Sequence, residues 1–228
     1  MISVILPAFN EESALPGVIS GLKKELPRAE IIVVDDGSTD GTERICGELK
    51  GEYGIKCVRL KRNRGKTVAF AEGLRKSHGD KVILFESDGQ YDAADAARVA
   101  KKLDEFDVVN GVRTKREDAF YRKVLSKVHN IIQRRAFGLS IRDANSGLKG
   151  FKRPVAMRLF SDGMLEKFNR NRSYHRIALS VAAKLGYSVG WVDVSHFPRK
   201  GGKSYISPIR TPVDTALTFA RLAAWNGK

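Results

Sequence analysis

The sequence predicts an α/β fold, a single domain whose mostly parallel central sheet is flanked by helices. Over the first 112 residues, short apolar runs alternate at short intervals with stretches of helical period. Two of those runs end in acidic, turn-forming clusters, placed where open α/β sheets build their binding crevices. A chain of 228 residues, 42% apolar and 29% charged, suits one domain with a full core.

Strands are expected near Ser3–Pro7, Ile31–Val34, Lys56–Leu60, Lys81–Glu86 and Asp107–Val112. The first connection reads as a helix: Leu15, Val18, Ile19, Leu22 and Leu26 recur at helical spacing, and Pro16 is tolerated in a first turn. Asp40–Lys50 and Lys66–Ser77 fill the next two connections. Asp92 or Asp95 caps a fourth helix that runs through Val99 and Leu103 to Phe106.

After residue 112 the character changes. Arg116–Phe137 is basic and amphipathic, with Phe120, Val124, Leu125, Val128, Ile131 and Ile132 opposed by Arg122, Lys123, Lys127, Arg134 and Arg135. Such a segment is either a solvated surface helix or one that lies on a membrane surface. Tyr174–Leu185 reads as a helix leading to a strand at Ser188–Phe197. Ile209–Trp225 carries a looser stripe of Val213, Leu217, Ala220 and Ala224.

Composition narrows the function. Forty-one Lys and Arg against 26 Asp and Glu leave a net charge of +15, which calls for an anionic partner: nucleic acid, lipid headgroups or phosphorylated substrates. No basic, aromatic-rich recognition motif is visible, so nucleic acid is not expected. No 18-residue apolar run exists to span a membrane, and Met1–Leu6 reads as a strand, not a signal peptide. Cys46 and Cys57 read as reduced core thiols of a cytosolic protein. Pro7-Ala-Phe-Asn-Glu after the first strand is no dinucleotide fingerprint, and neither Gly65-Lys66-Thr67 nor Gly202-Lys203-Ser204 has the upstream glycine of a Walker A loop.

The run Val82–Phe85 delivers Glu86, Asp88 and Gln90 to a strand end. Two carboxylates and an amide oxygen within five residues suit a hard divalent cation; an acidic turn is the competing reading. Ile31–Val34 similarly runs into Asp35-Asp36-Gly-Ser-Thr-Asp40. Asp36 can accept from a base N–H or ribose hydroxyl, or the segment is a turn with Ser38 or Asp40 as a cap. Pro7, Ala8, Asn10 and Glu11 end the neighbouring strand and would line the same pocket. Lys66, at a predicted helix start, makes an anion site with the backbone N–H groups there.

Val4-Ile-Leu-Pro-Ala-Phe-Asn-Glu-Glu12, Val33-Val-Asp-Asp-Gly-Ser-Thr-Asp-Gly-Thr42, Asn63-Arg-Gly-Lys66, Glu86-Ser-Asp-Gly-Gln90, Asp143-Ala-Asn-Ser-Gly-Leu-Lys-Gly-Phe-Lys-Arg153 and Pro198-Arg-Lys-Gly-Gly-Lys-Ser204 together resemble family 2 of the GT-A type nucleotide-sugar glycosyltransferases. Within it the chain is most similar to the dolichyl- or polyprenyl-phosphate sugar synthases. The resemblance implies a GT-A-like domain over residues 1–228, with a nucleotide-sugar half (1–112) and an acceptor half (113–228). It implies transfer of a hexose, with inversion, from a donor of GDP-mannose or UDP-glucose type to a polyprenyl phosphate, helped by Mg²⁺ or Mn²⁺. It further implies a peripheral position against anionic lipid on the cytoplasmic membrane face. By the same resemblance Asp36 binds the nucleoside, Asp88 the metal, and Arg113, Arg122 and Ser126 contact donor or acceptor phosphates. Arg199 and Lys203 belong to a loop that closes over them. Asp143 is the base in relatives with hydroxyl acceptors, whereas a phosphate acceptor arrives ionised and needs none. One departure is plain: the usual Asp-x-Asp is Glu86-x-Asp88 here. A hydroxyl-acceptor enzyme of the same family, or a silent basic binding protein, are the alternatives.

Overall fold

The computed structural model describes residues 1–114, 131, 143–168, 174–199, 217–218 and 220–225. The first half alternates as expected: β1 (Ile2–Ala8), α1 (Leu15–Glu25), β2 (Glu30–Asp35), α2 (Thr42–Tyr53), β3 (Lys56–Arg59), α3 (Lys66–Lys76), β4 (Lys81–Leu84), α4 (Ala93–Lys102) and β5 (Val108–Arg113). Then come β6 (Lys149–Lys152), α5 (Arg153–Leu159), α6 (Asp162–Lys167), α7 (Tyr174–Lys184) and β7 (Val189–Val194).

Seven strands form one sheet in the order β3-β2-β1-β4-β6-β5-β7. Only β6 runs against the rest, pairing antiparallel with both β4 and β5. Alternation along the strands divides the core. Val4, Leu6, Ile31 and Val33 pack under α1, α2 and α4, whereas Ile5, Ile32 and Val34 face α3, α5 and α7. Because β2 lies on one side of β1 and β4 on the other, the direction of the connections reverses between β1 and β4, where open α/β sheets place their binding crevices.

Asp92 proves to be the cap of α4, accepting from the Ala94 N–H at 3.0 Å. Asp95 is instead buried and takes the Ser195 N–H at 2.8 Å, tying α4 to the exit of β7. Three features depart from expectation. β6, α5 and α6 were not foreseen, because a central strand reading Lys-Gly-Phe-Lys carries no apolar run. β7 ends three residues before Phe197. Cys57 is exposed, since β3 is an edge strand with three of its four residues exposed and only Val58 partly covered. The Arg116–Phe137 helix falls outside the described residues, except Ile131.

At the amino ends of the strands, Glu30 collects the Ser3 hydroxyl, the Lys56 ammonium at 2.5 Å and the His78 backbone N–H at 2.8 Å. Burial works against the Glu30 charge, but the contacts from His78, Lys56 and Ser3 override it and hold the carboxyl at about 2. A depressed acid stabilises the fold above its unfolded value and loses that contribution as pH falls toward about 2. Glu30→Gln is therefore expected to lower stability at pH 7 by about 1–3 kcal/mol and to flatten the acid limb of a denaturation curve. An unchanged acid limb would show that these contacts contribute nothing.

Candidate active site

The crevice is built first by turns. Gly37 has φ +73°, and a Cβ there would lie 2.7 Å from the backbone of Arg62, so the β2–α2 turn can pass under the β3–α3 loop only as glycine. Asn10, at φ 58°, accepts the Thr39 N–H at 2.8 Å while its own N–H donates to Ser38 Oγ at 2.9 Å. These bonds lock the ends of β1 and β2 together. Asp35 accepts from the Ser38 N–H at 2.8 Å and so faces the turn.

Asp36 is buried, and its two carboxylate oxygens accept the backbone N–H groups of Arg64 and Gly65, each at 2.7 Å. It thus fixes the loop that opens α3. A nucleoside reaching Asp36 would share oxygens that already hold this loop. Pro7 and Ala8 present carbonyls rather than side chains: Pro7 O takes the Ser87 hydroxyl at 2.9 Å, and Ala8 O the Asp36 N–H at 2.8 Å.

The acidic groups divide in two. Asp88 and Glu11, both buried, share one guanidinium: Arg199 lies 2.9 Å from Asp88 Oδ2 and 3.3 Å from Glu11 Oε1. Burial, then the charge of Glu86, pushes Asp88 up to about 6; burial pushes Glu11 up to about 7 despite Arg199. Glu11 Oε2 is buried with no hydrogen-bond partner. A carboxylate pair so short of positive charge fits a hard divalent cation. No group of three or more His, Cys, Asp or Glu set to hold a metal occurs among the described residues, so diphosphate and water would complete its shell.

Glu86 turns elsewhere. Lys66 Nζ meets it at 2.5 Å, and although burial opposes its charge, Lys66, then Arg113 and Lys149, hold it at about 2. Gly147 packs against this carboxylate so closely that any Cβ would collide with it. The longer acid of Glu86-x-Asp88 is thus engaged by a basic cluster beside the crevice. Gln90 has a different partner as well. Its side-chain N–H donates to the Phe197 carbonyl at 3.1 Å and its backbone carbonyl accepts the Phe197 N–H at 2.8 Å, which anchors the chain two residues before Arg199. Of the three residues expected at a metal, Glu86 pairs with Lys66, Gln90 uses its side-chain N–H and backbone carbonyl on Phe197, and Asp88 shares Arg199 with Glu11.

On the far side, Arg113 grips Asp143 in a bidentate pair, Nε to Oδ2 at 2.7 Å and Nη2 to Oδ1 at 3.0 Å, with both side chains largely buried. Tyr91 holds the adjoining loop by hydrogen bonding Ser146 Oγ at 3.1 Å and accepting the Gly147 N–H at 2.8 Å. Lys149 and Arg176 complete the basic cluster with Lys66 and Arg113. The sequence reading assigned neither of them. A lysine flanked by Leu148 and Gly150 inside a strand is the signal that could have found Lys149. Arg122, Ser126 and Lys203 lie outside the described residues.

The profile described as Glycosyl transferase family 2 matches residues 3–160. The chain belongs to this family. All of the crevice except Arg176, Phe197 and Arg199 falls within the matched residues of the family 2 region. An undecaprenyl-phosphate 4-deoxy-4-formamido-L-arabinose transferase of Salmonella paratyphi A is 31% identical over 216 residues, 92% of this chain; the chain spans 63% of that relative's length. Glucosyl-3-phosphoglycerate synthase of Mycobacterium tuberculosis, solved with Mn²⁺, UDP and phosphoglyceric acid, superposes with a TM-score of 0.66 at 19% identity, over 98% of this chain and 78% of that one. TarS of S. aureus, in complex with UDP, gives 0.61 at 18% identity over 97% and 65%. These two share the fold, and the α/β sheet with its single reversed strand is that of the GT-A glycosyltransferases.

Proposed function

We propose that this family 2 chain moves one sugar from a nucleotide-sugar donor to a polyprenyl phosphate. The observation that carries the acceptor is the Arg113–Asp143 pair. A carboxylate held bidentately by a guanidinium is a weak base, poorly suited to deprotonate a sugar hydroxyl. A phosphate with its second pKa near ~6 is already ionised at pH 7 and requires no base. The Salmonella relatives, named for an undecaprenyl-phosphate acceptor, support the same reading.

In the reaction an acceptor phosphate oxygen attacks the anomeric carbon as the bond to the nucleoside diphosphate breaks, with inversion. Asp36 holds the Arg64–Gly65 backbone so that the start of α3 and Lys66 face the donor phosphates. Asp88, with Glu11 beside it, would hold Mg²⁺ or Mn²⁺, which when bound neutralises charge developing on the departing diphosphate. Arg113 and Arg199 offset repulsion between the two anions. The donor in this reading is of GDP-mannose or UDP-glucose type.

Mass spectrometry of products from a panel of nucleotide sugars, offered a short polyprenyl phosphate and a free oligosaccharide, tests this directly. Sugar is expected on the lipid phosphate alone; transfer to the oligosaccharide alone would reverse the acceptor assignment. We also place the protein peripherally on the cytoplasmic membrane face. The charge of +15 and the basic 116–137 segment support this, and no helix among the described residues is long and apolar enough to cross a membrane. Sedimentation with anionic vesicles is expected at low salt and release at high salt, since surface attraction is screened within about 10 Å at 0.1 M. Equal binding to neutral vesicles would refute an electrostatic contact.

A further inference from the structure

Lys149 is 1% exposed, in the middle of the sheet, facing Leu84 of β4 and Asn110 of β5. An ammonium has three donors. One goes to the Ser146 carbonyl, and no carboxylate lies within ion-pair distance of Lys149 among the described residues. The carboxylates nearest in effect are Glu86 and Asp143, and both are already engaged, by Lys66 and by Arg113. Arg176 adds a partly buried cation within electrostatic reach of Glu86 and Arg113. Among the described residues, Lys66, Arg113, Lys149 and Arg176 are gathered around the carboxylates of Glu86 and Asp143.

Such a charge is hard to explain by folding alone. A poorly paired buried ion costs several kcal/mol, and an apolar side chain of similar length at such a site is commonly neutral or stabilising. Burial and the repulsion of Lys66 already bring Lys149 down to about 7. Among the described residues no carboxylate pairs with Lys149, so an anionic ligand can. Its place is set by the Asp143–Ser146 loop, which Tyr91 and Gly147 pin against Glu86.

We propose that Lys149 is a specificity-determining residue, the buried counter-charge that draws a substrate phosphate down onto the Asp143–Ser146 loop. This rests on the reading that the substrates are phosphorylated. The phosphate belongs either to the donor's diphosphate or to the prenyl phosphate. Its consequence is an exchange of stability for binding: Lys149 weakens the free protein and strengthens the complex.

Thermal melting and calorimetry on wild type, Lys149→Met and Lys149→Arg test it, without ligand, with UDP or GDP plus Mn²⁺, and with a water-soluble short-chain prenyl phosphate. Lys149→Met is expected to melt at or above wild type. It should lose at least half of the ligand-induced shift with one class of phosphate, binding it about tenfold more weakly for want of a charge-assisted contact. Lys149→Arg should recover part of that loss. A deficit with UDP or GDP assigns Lys149 to the donor, and one with prenyl phosphate assigns it to the acceptor. The proposal is overturned if Lys149→Met melts below wild type, if it answers both phosphates as wild type does, or if wild type answers neither. Absence of sugar transfer by a wild type that still responds to phosphate would remove the proposed reaction and leave this assignment standing.

Discussion

EDTA is expected to abolish sugar transfer, with Mg²⁺ or Mn²⁺ restoring it, and Asp88→Asn to reduce turnover roughly a thousandfold, the equivalent of about 4 kcal/mol of transition-state stabilisation. The folded state should survive the substitution intact. In the free protein the Asp88 carboxylate is held at about 6, by burial and by repulsion from Glu86, so its charge is a burden there. Asp88→Asn should melt no lower than wild type. Glu86→Gln provides the contrast: because Glu86 faces Lys66, Mn²⁺ affinity measured by electron paramagnetic resonance should stay near the wild-type value. Full activity of metal-stripped protein or of Asp88→Asn would sink the site assignment.

Arg199→Ala should have two effects of opposite sign. Turnover is expected to drop more than a hundredfold, because a charge-assisted phosphate contact is worth roughly 3 kcal/mol. Mn²⁺ affinity of the nucleotide-free protein should rise, since the guanidinium that spans Asp88 and Glu11 would no longer compete for those carboxylates. Titrating Mn²⁺ into wild type and variant, alongside initial rates, measures both. Unchanged turnover would exclude Arg199 from the reaction.

How much of this was legible in the sequence follows from the range of each interaction. β1 to β5 and the acidic clusters that end β2 and β4 announce themselves locally, through apolar runs and turn residues, and their expected positions agree with the structure to within a few residues. Asp36, Asp88 and Lys66 do converge on one crevice. What the sequence concealed is what distant segments decide. Nothing around Gln90 says that its side-chain N–H reaches the Phe197 carbonyl, 107 positions away. Arg113 and Asp143 were read as separate functions, phosphate contact and base, and no local pattern says that they bind each other across 30 positions. Cys57 looked like a core thiol because nothing in its neighbours says that β3 forms the sheet edge. β6 stayed hidden because Lys149 and Lys152 contradict the apolar run that marks a buried strand.

The reversed strand has a consequence for how the chain must assemble. β1 to β4 can pair as soon as they exist, β2 beside β1, β3 beside β2, and β4 back against β1. β5, although it follows directly, touches none of them in the sheet; its neighbours are β6 and β7. Residues 149–152 therefore act as a keystone, and until they arrive β4 keeps an unpaired edge and β5 has nothing to bind. A nascent chain stopped near residue 112 would hold nearly all of the donor-side side chains yet display two raw strand edges, the condition under which polypeptides associate with one another. The donor half is thus a unit of chemistry without being a unit of folding, and the sheet closes only late in synthesis.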